Sequence, residues 1–236
     1  MPINNQELLK QVHFTGEADC QEFHPHPLRP SLCTDCNKLF SKHEPGAIPN
    51  DEALLQALAH STKAEKTPDR ILTTSSGGGL YLGGFRGVIN TQFLREANVT
   101  HIVNTAKGLE IFGPKYLTAV QEARDILKIN FLELNWEDTE TWLIPDSDIR
   151  TLCNYIQTGL DMQGQSVFVH CAQGKSRSST AVVAYVMVAK GLSLKESLGL
   201  VQSLHKMAEP NPHFMKRLEE FEKSELLQEL RQAIRI

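Results

Sequence analysis

No stretch of this chain approaches the roughly eighteen consecutive apolar residues that a membrane-spanning helix needs, so no membrane span is expected. Its start, Met1-Pro2-Ile3-Asn4-Asn5, has neither the apolar core of a secretory signal nor a glycine for myristoylation. The expected location is therefore cytoplasmic, with the nucleus also open, and not secreted. An even, regularly spaced cysteine framework is absent too. The five cysteines are odd in number and scattered, which suits free thiols or metal ligands in a reducing compartment better than disulfides. Nor is there an excess of basic charge. A net charge of −4 excludes nucleic acid as the default partner, because a phosphate backbone needs a basic face. No internal repeat is visible. What is present, 236 residues with 41% apolar and 22% charged content, can bury a full core and leaves one or two domains open.

The composition changes near residue 70. Residues 1 to 70 carry Pro2, Pro25, Pro27, Pro30, Pro45, Pro49 and Pro68 with few long apolar runs, so this extension is expected to be mostly loop, with one helix around Asp51 to His60. From Ile71 onward, strand and helix patterns alternate. Tyr81 to Gly83, His101 to Thr105, Ile129 to Leu134 and Ser166 to His170 read as short buried strands. Gln92 to Ala97, Ser147 to Leu160, Ser178 to Lys190, Ser193 to His205 and Phe214 to Ile234 read as helices. Interleaved strands and helices imply an α/β sandwich. Ser193 and Glu196 form a capping-box pattern, and Asp146 and Asp148 stand where a helix N-terminus favours carboxylates. Leu226, Leu227, Leu230 and Ile234 make an apolar stripe on the last helix, read as packing on the parent domain.

The most informative stretch runs from Val169 to Thr180. It joins a short strand to a helix through a loop that holds one cysteine, Cys171, and one arginine, Arg177. Such a loop points unpaired backbone N–H groups inward, and the helix dipole adds partial positive charge, so a tetrahedral dianion is favoured there. A thiol placed at a helix N-terminus beside a fixed cation loses its proton more readily, which makes Cys171 a candidate thiolate nucleophile. Alone, a cysteine after a β-rich run is most often a small buried hydrophobe. Arg177, six residues on, can grip a phosphate bidentately, and Gly174 lets the backbone turn without a Cβ in the way. Together they point to phosphoryl transfer to sulfur. A nucleotide-binding loop is denied by spacing: Gly174-Lys175-Ser176 looks like the end of a Walker A motif, but Val169 stands where its first glycine belongs. Gly77-Gly78-Gly79 fails as a dinucleotide fingerprint because Leu82 takes the place of the third glycine, and it reads as a flexible entry to a strand.

His170-Cys171-x-x-Gly174-x-x-Arg177-Ser178 resembles the HCxxGxxR[ST] signature of cysteine-dependent protein phosphatases, and Ala184-Tyr185-Val186-Met187 resembles the AYLM stretch of their dual-specificity branch. Leu80-Tyr81-Leu82-Gly83 followed by His101-Ile102-Val103-Asn104 looks like that family's opening strand, helix and second strand. Pro210-Asn211-Pro212-x-Phe214 resembles its PNxGF turn, with His213 replacing the glycine. The likeness covers about residues 71 to 222. It implies a central mixed sheet of about four to five strands flanked by helices, a catalytic domain over 71–236 and an N-terminal extension over 1–70.

A thiolate needs an acid to protonate the departing oxygen, and Arg177 cannot supply the proton. Glu137, Asp138, Glu140, Asp146 and Asp148 are the candidates. The resemblance selects among them, since the family's acid is a loop aspartate roughly thirty residues before the nucleophile, and Asp138 precedes Cys171 by 171 − 138 = 33 residues. The implied chemistry has Cys171 attack phosphorus while Arg177 and the N–H groups of Ala172, Gln173, Gly174, Lys175, Ser176 and Arg177 hold the equatorial oxygens. Asp138 protonates the leaving oxygen and then activates water against a phosphocysteine. By the same resemblance Ser178 helps the thiolate leave and His170 supports the loop. No catalytic cofactor is implied, and the expected partners are phosphoprotein substrates.

Two other functions stand beside this one. Lys175 lies where lipid-phosphate members of the superfamily carry a basic residue, although Ala172 stands where they commonly add another, so a phosphoinositide or other non-protein phosphate is the first alternative. An inactive phosphate-binding regulator is the second. It would be expected to lack Cys171, Arg177 or Asp138, and all three are present.

The extension holds one more pattern. Cys33-Thr34-Asp35-Cys36, with Phe23-His24-Pro25-His26-Pro27 before it and His43 after it, could give four ligands to one structural Zn²⁺: Cys33, Cys36, His43 and His26, with His24 as the alternative to His26. A small zinc-binding module over about residues 23–45 is expected on this reading, because so few apolar residues would not fold unaided.

Overall fold

The structure is a computed structural model that describes residues 12–26, 29–36, 38, 40–48 and 67–234. The helix expected over Asp51 to His60 lies outside the described residues. Strands β1 (Pro25–His26) and β2 (Arg29–Cys33) form an antiparallel pair in the extension. Five further strands follow: β3 (Asp69–Thr73), β4 (Gly79–Gly84), β5 (Val99–Ala106), β6 (Asn130–Trp136) and β7 (Ser166–Cys171). They form one sheet in the order β3-β4-β7-β5-β6, in which only the β3–β4 pairing is antiparallel. The expected mixed sheet is therefore present.

Eight α-helices accompany these strands among the described residues: α1 (Arg86–Ile89), α2 (Thr91–Glu96), α3 (Pro114–Asp125), α4 (Asp146–Leu160), α5 (Arg177–Lys190), α6 (Leu194–Leu204), α7 (Pro212–Glu222) and α8 (Glu225–Ala233). Strand alternation divides them. On β7, Val167 and Val169 face the core built with α4 to α8, while Phe168 faces the one built with α1 to α3. Strand β7 is the middle strand and every one of its residues is buried, so its C-terminal end, Cys171, sits at the centre of the sheet's edge. Helix α5 leaves from that point and is buried from Arg177 to Val188, as an apolar-all-round helix must be.

Several differences from the sequence reading stand out. Strand β3 and helix α3 were not anticipated. Helix α3 buries only Tyr116, Ala119 and Ala123 among its twelve residues, too thin an apolar stripe to stand out. The helix expected from Phe214 to Ile234 is two helices, because Ser224 starts α8 as an N-cap whose side chain accepts from the Leu227 amide. Gly77 to Gly79 is a tight hairpin turn rather than a flexible entry: Gly77 has φ +90°, and a Cβ on Gly78 would meet the Gln165 carbonyl oxygen at 1.8 Å. The capping box on α6 is present as read, and Leu226, Leu227, Leu230 and Ile234 are buried against the domain.

Candidate active site

The end of β7 delivers Cys171 into the turn that opens α5. Gly174, at φ +78°, lets the chain curl back over it. Two donors converge on the sulfur: the Gly174 amide at 3.2 Å and the Ser178 hydroxyl at 3.2 Å. Both the backbone amide and the hydroxyl thus point their protons at this one sulfur. Ala172 and Gln173 are buried in the same turn, Ser179 Oγ donates to the Gly174 carbonyl at 3.0 Å, and Thr180 Oγ1 donates to the Ser176 carbonyl at 2.9 Å. The curl is thereby fixed from within the helix it leads into.

Arg177 is fully buried, which a guanidinium tolerates only with partners. Its Nη1 donates to the Trp136 carbonyl at 3.2 Å, and its Nε lies 3.6 Å from Asp138 Oδ2. Trp136 ends β6, and Asp138 follows it by two residues. The β5–β6 register slips between Asn104 and Ala106, and Asn135 adopts the left-handed region at φ +50°, a bulge just before Trp136 and Asp138 meet the Cys171–Arg177 loop. Trp136 is anchored by its Nε1 donating to Asp148 Oδ2 at 2.9 Å, and Asp138 Oδ1 accepts from Ser176 Oγ at 2.7 Å and from Asn211 Nδ2 at 2.9 Å. Among the five candidate acids, Asp138 alone is buried against the loop. Glu137 lies 3.6 Å from Lys107, Glu140 is exposed, and Asp146 pairs with Arg217.

His170 lies beneath the loop, fully buried, with its Nδ1 3.3 Å from the Cys171 carbonyl oxygen. Burial pushes its ring down to about 4, so it is neutral near pH 7 and can donate through Nδ1. Thr105 Oγ1 holds the His170 carbonyl at 2.9 Å. Lys175 does not point free into solvent: its Nζ lies 2.7 Å from Glu209 Oε2. Three contributors escaped the sequence reading as site residues. Asn211 bridges Asp138 and the loop, its amide also accepted by Ser176 Oγ at 3.3 Å. His205 places Nε2 2.8 Å from the Gly174 carbonyl oxygen and Nδ1 2.7 Å from Asp69 Oδ2, and Glu209 donates its amide to the Lys175 carbonyl at 2.8 Å. Each joins the loop from thirty or more residues away, beyond any local motif.

The extension carries a second constellation. Cys20, Cys33, Cys36 and His43 bring three thiols and one imidazole within 4.8 Å of one another. Cys20 Sγ lies 3.7 Å from Cys33 Sγ and 3.0 Å from His43 Nε2, and Cys36 Sγ lies 3.4 Å from the same nitrogen. A tetrahedral Zn²⁺ with bonds of about 2.3 Å to sulfur would separate two thiolates by about 3.8 Å, so these residues fit a metal of that size. Cys20, which the sequence reading did not include, completes this group among the described residues, and His24 is not part of it. His24 is exposed and held instead by Asp35 at 2.7 Å, an ion pair that raises it above the usual histidine range. The His26 side chain lies outside the described residues. Burial and the neighbouring thiols push Cys20 up to about 12. At Cys33, burial is outweighed by the amides and His43 that face it, which bring it down to about 6.

A family model, "Dual specificity phosphatase, catalytic domain", matches residues 80–224. Dual specificity protein phosphatase 1 of Arabidopsis thaliana is 34% identical over 171 residues, covering 72% of this chain and 79% of that protein. Tyrosine-protein phosphatase YVH1 of Saccharomyces cerevisiae is 34% identical over 158 residues, covering 62% of this chain and 42% of that one. The crystal structure of DUSP15 superposes with a TM-score of 0.57 at 27% identity, over 71% of this chain and 94% of that chain.

Proposed function

The chain belongs to the dual-specificity phosphatase family and is a protein phosphatase, and we propose that it works through a phosphocysteine on Cys171. The observation that carries this reading is the convergence of the Gly174 amide and the Ser178 hydroxyl on Cys171 Sγ, beside a fully buried Arg177. Cys171 attacks phosphorus, and Arg177 with the N–H groups of residues 172–177 holds the equatorial oxygens. Asp138, kept on the loop by Ser176 and Asn211, gives its proton to the leaving oxygen and takes one from water in the second step. Ser178 donates to the departing sulfur.

Phosphoprotein is favoured over phosphoinositide because Glu209 already neutralises Lys175, the one basic side chain beside Arg177 that this loop contributes. Matched peptides carrying phosphotyrosine or phosphothreonine are expected to show a higher kcat/KM than short-chain phosphoinositides with the purified protein. The opposite order would transfer the assignment to non-protein phosphate.

In the extension the reading is a structural Zn²⁺ held by Cys20, Cys33, Cys36 and His43. When bound it would supply folding free energy to a segment whose own core is Val12, Phe23, Phe40 and Ile48 around Cys33. Metal analysis of the protein purified without chelator is expected to find about one zinc per chain, lost in Cys20→Ser and retained in His26→Ala. Zinc retained in Cys20→Ser and lost in His26→Ala would restore the histidine ligand.

A further inference from the structure

One stretch of chain fastens the phosphate loop from outside. At its start His205 ends α6, its amide donating to the Val201 carbonyl at 2.8 Å and its carbonyl accepting from the Ala208 amide at 3.0 Å, so the backbone that carries the ring is held on both sides. His205 is 1% exposed. A carbonyl oxygen can only accept, so Nε2 donates to the Gly174 carbonyl across 2.8 Å, and Nδ1 donates to Asp69 Oδ2 across 2.7 Å. Further along, the Glu209 amide donates to the Lys175 carbonyl at 2.8 Å, and the Asn211 amide reaches Ser176 Oγ at 3.3 Å. Residues 174, 175 and 176 of the loop are each tied to the stretch 205–211.

Two of these ties act on carbonyls, and a trans peptide carries its N–H on the side opposite its C=O. Holding the Gly174 carbonyl toward His205 turns the Lys175 N–H the other way. Holding the Lys175 carbonyl toward Glu209 does the same for the Ser176 N–H. In the phosphocysteine reading these N–H groups are among the donors to the equatorial oxygens. Hydrogen-bond satisfaction does not account for His205, because the Gly174 carbonyl already accepts from Ser179 Oγ at 3.0 Å. A second donor, from a different element, fixes the direction of a group that one donor leaves free to swing. Gly174 is where such a brace is needed: at φ +78° and without a Cβ, it is the least constrained residue of the turn.

We propose that His205 is a positioning residue of the catalytic site: anchored by Asp69 on β3, its ring holds the Gly174–Lys175 peptide plane so that the Lys175 N–H faces the transferring phosphoryl group. The proposal rests on the phosphatase reading, and His205 acts through the loop alone. A preorganised donor stabilises the transition state whatever oxygen departs. Its effect is therefore independent of the leaving group, which separates it from the proton transfer assigned to Asp138.

The test uses the full-length protein, phosphate esters graded by leaving group, and two inorganic inhibitors: phosphate, and vanadate, which adopts the five-coordinate geometry of the transition state. His205→Ala is expected to lower kcat/KM by about 10- to 100-fold, by the same factor for alkyl and activated nitrophenyl esters, the scale of a misplaced donor. Vanadate inhibition should weaken by a similar factor and phosphate inhibition much less. His205→Gln, whose amide can donate to the same carbonyl, should recover most of the loss. Asp69→Ala, at a half-exposed side chain, should give a smaller loss of the same pattern and add little in a His205→Ala background, because Asp69 acts through the ring. Thermal unfolding identifies the variants that fold, and Asp69→Ala carries the test if His205→Ala does not. Unchanged kinetics in folded His205→Ala or Asp69→Ala, a loss confined to poor leaving groups, equal weakening of vanadate and phosphate, or a His205→Gln no better than His205→Ala would overturn the proposal, while Cys171-dependent turnover in the wild type leaves the phosphatase reading standing. A wild type without such turnover would bring down both.

Discussion

Cys171→Ser is expected to abolish turnover of a small aryl phosphate, by at least about a thousandfold, equivalent to roughly 4 kcal/mol of lost transition-state stabilisation. A serine hydroxyl at this position meets the same Gly174 amide and Ser178 hydroxyl, but it has no ready route to an anion near pH 7 and is a far weaker nucleophile toward phosphorus. Phosphate binding should survive, because the loop's N–H groups and Arg177 are untouched. Substrate affinity measured by titration should therefore change little while kcat collapses. Activity above a few percent of wild type, in a preparation free of wild-type enzyme, would show that the reaction does not pass through this sulfur.

Asp138→Asn separates the acid from a structural residue. Positioned proton transfer contributes about 10² to 10⁴ in rate, and its value depends on how badly the leaving oxygen needs the proton. Alkyl phosphates should lose most of that range, whereas an activated nitrophenyl ester should lose about tenfold or less. The asparagine can still accept from Ser176 Oγ and Asn211 Nδ2, so the loop should keep its shape and the comparison reads chemistry. The basic limb of the pH–rate profile should vanish as well. Uniform losses across leaving groups would demote Asp138 to a structural role, and Asp146, which pairs with Arg217 at the start of α4, would be tested next.

The parts of the site that could be read from sequence are those whose chemistry is contiguous. Cys171, Gly174, Arg177 and Ser178 occupy a single strand-to-helix turn, and a turn that must cradle a dianion constrains its residues one after another. Asp138 could be found only through family resemblance, since nothing local distinguishes it from Glu137 or Glu140; burial against Arg177 makes the distinction in three dimensions. Asn211 and His205 reach the loop from α7 and from the end of α6, and no spacing rule predicts a hydrogen bond across that much chain. Cys20 was missed for a related reason. Cys33 and Cys36 advertise themselves by a two-residue gap, but the choice of partner depends on how the chain returns before β1, and nearby histidines were the more visible candidates. At the fold level, the fully buried strands β4 and β7 announced themselves, while β3 at the sheet edge and the weakly apolar α3 did not.

The most direct test of the account is to trap the covalent intermediate. Rapid acid quench of the enzyme during turnover of an aryl phosphate, followed by peptide mass spectrometry, is expected to find one phosphoryl group on the peptide containing Cys171, attached at sulfur, and none in Cys171→Ser. It should accumulate further in Ser178→Ala, where the departing thiolate loses its hydroxyl donor. Turnover with no phosphoryl group on Cys171 at any quench time in either protein, or one attached at another residue, would contradict it.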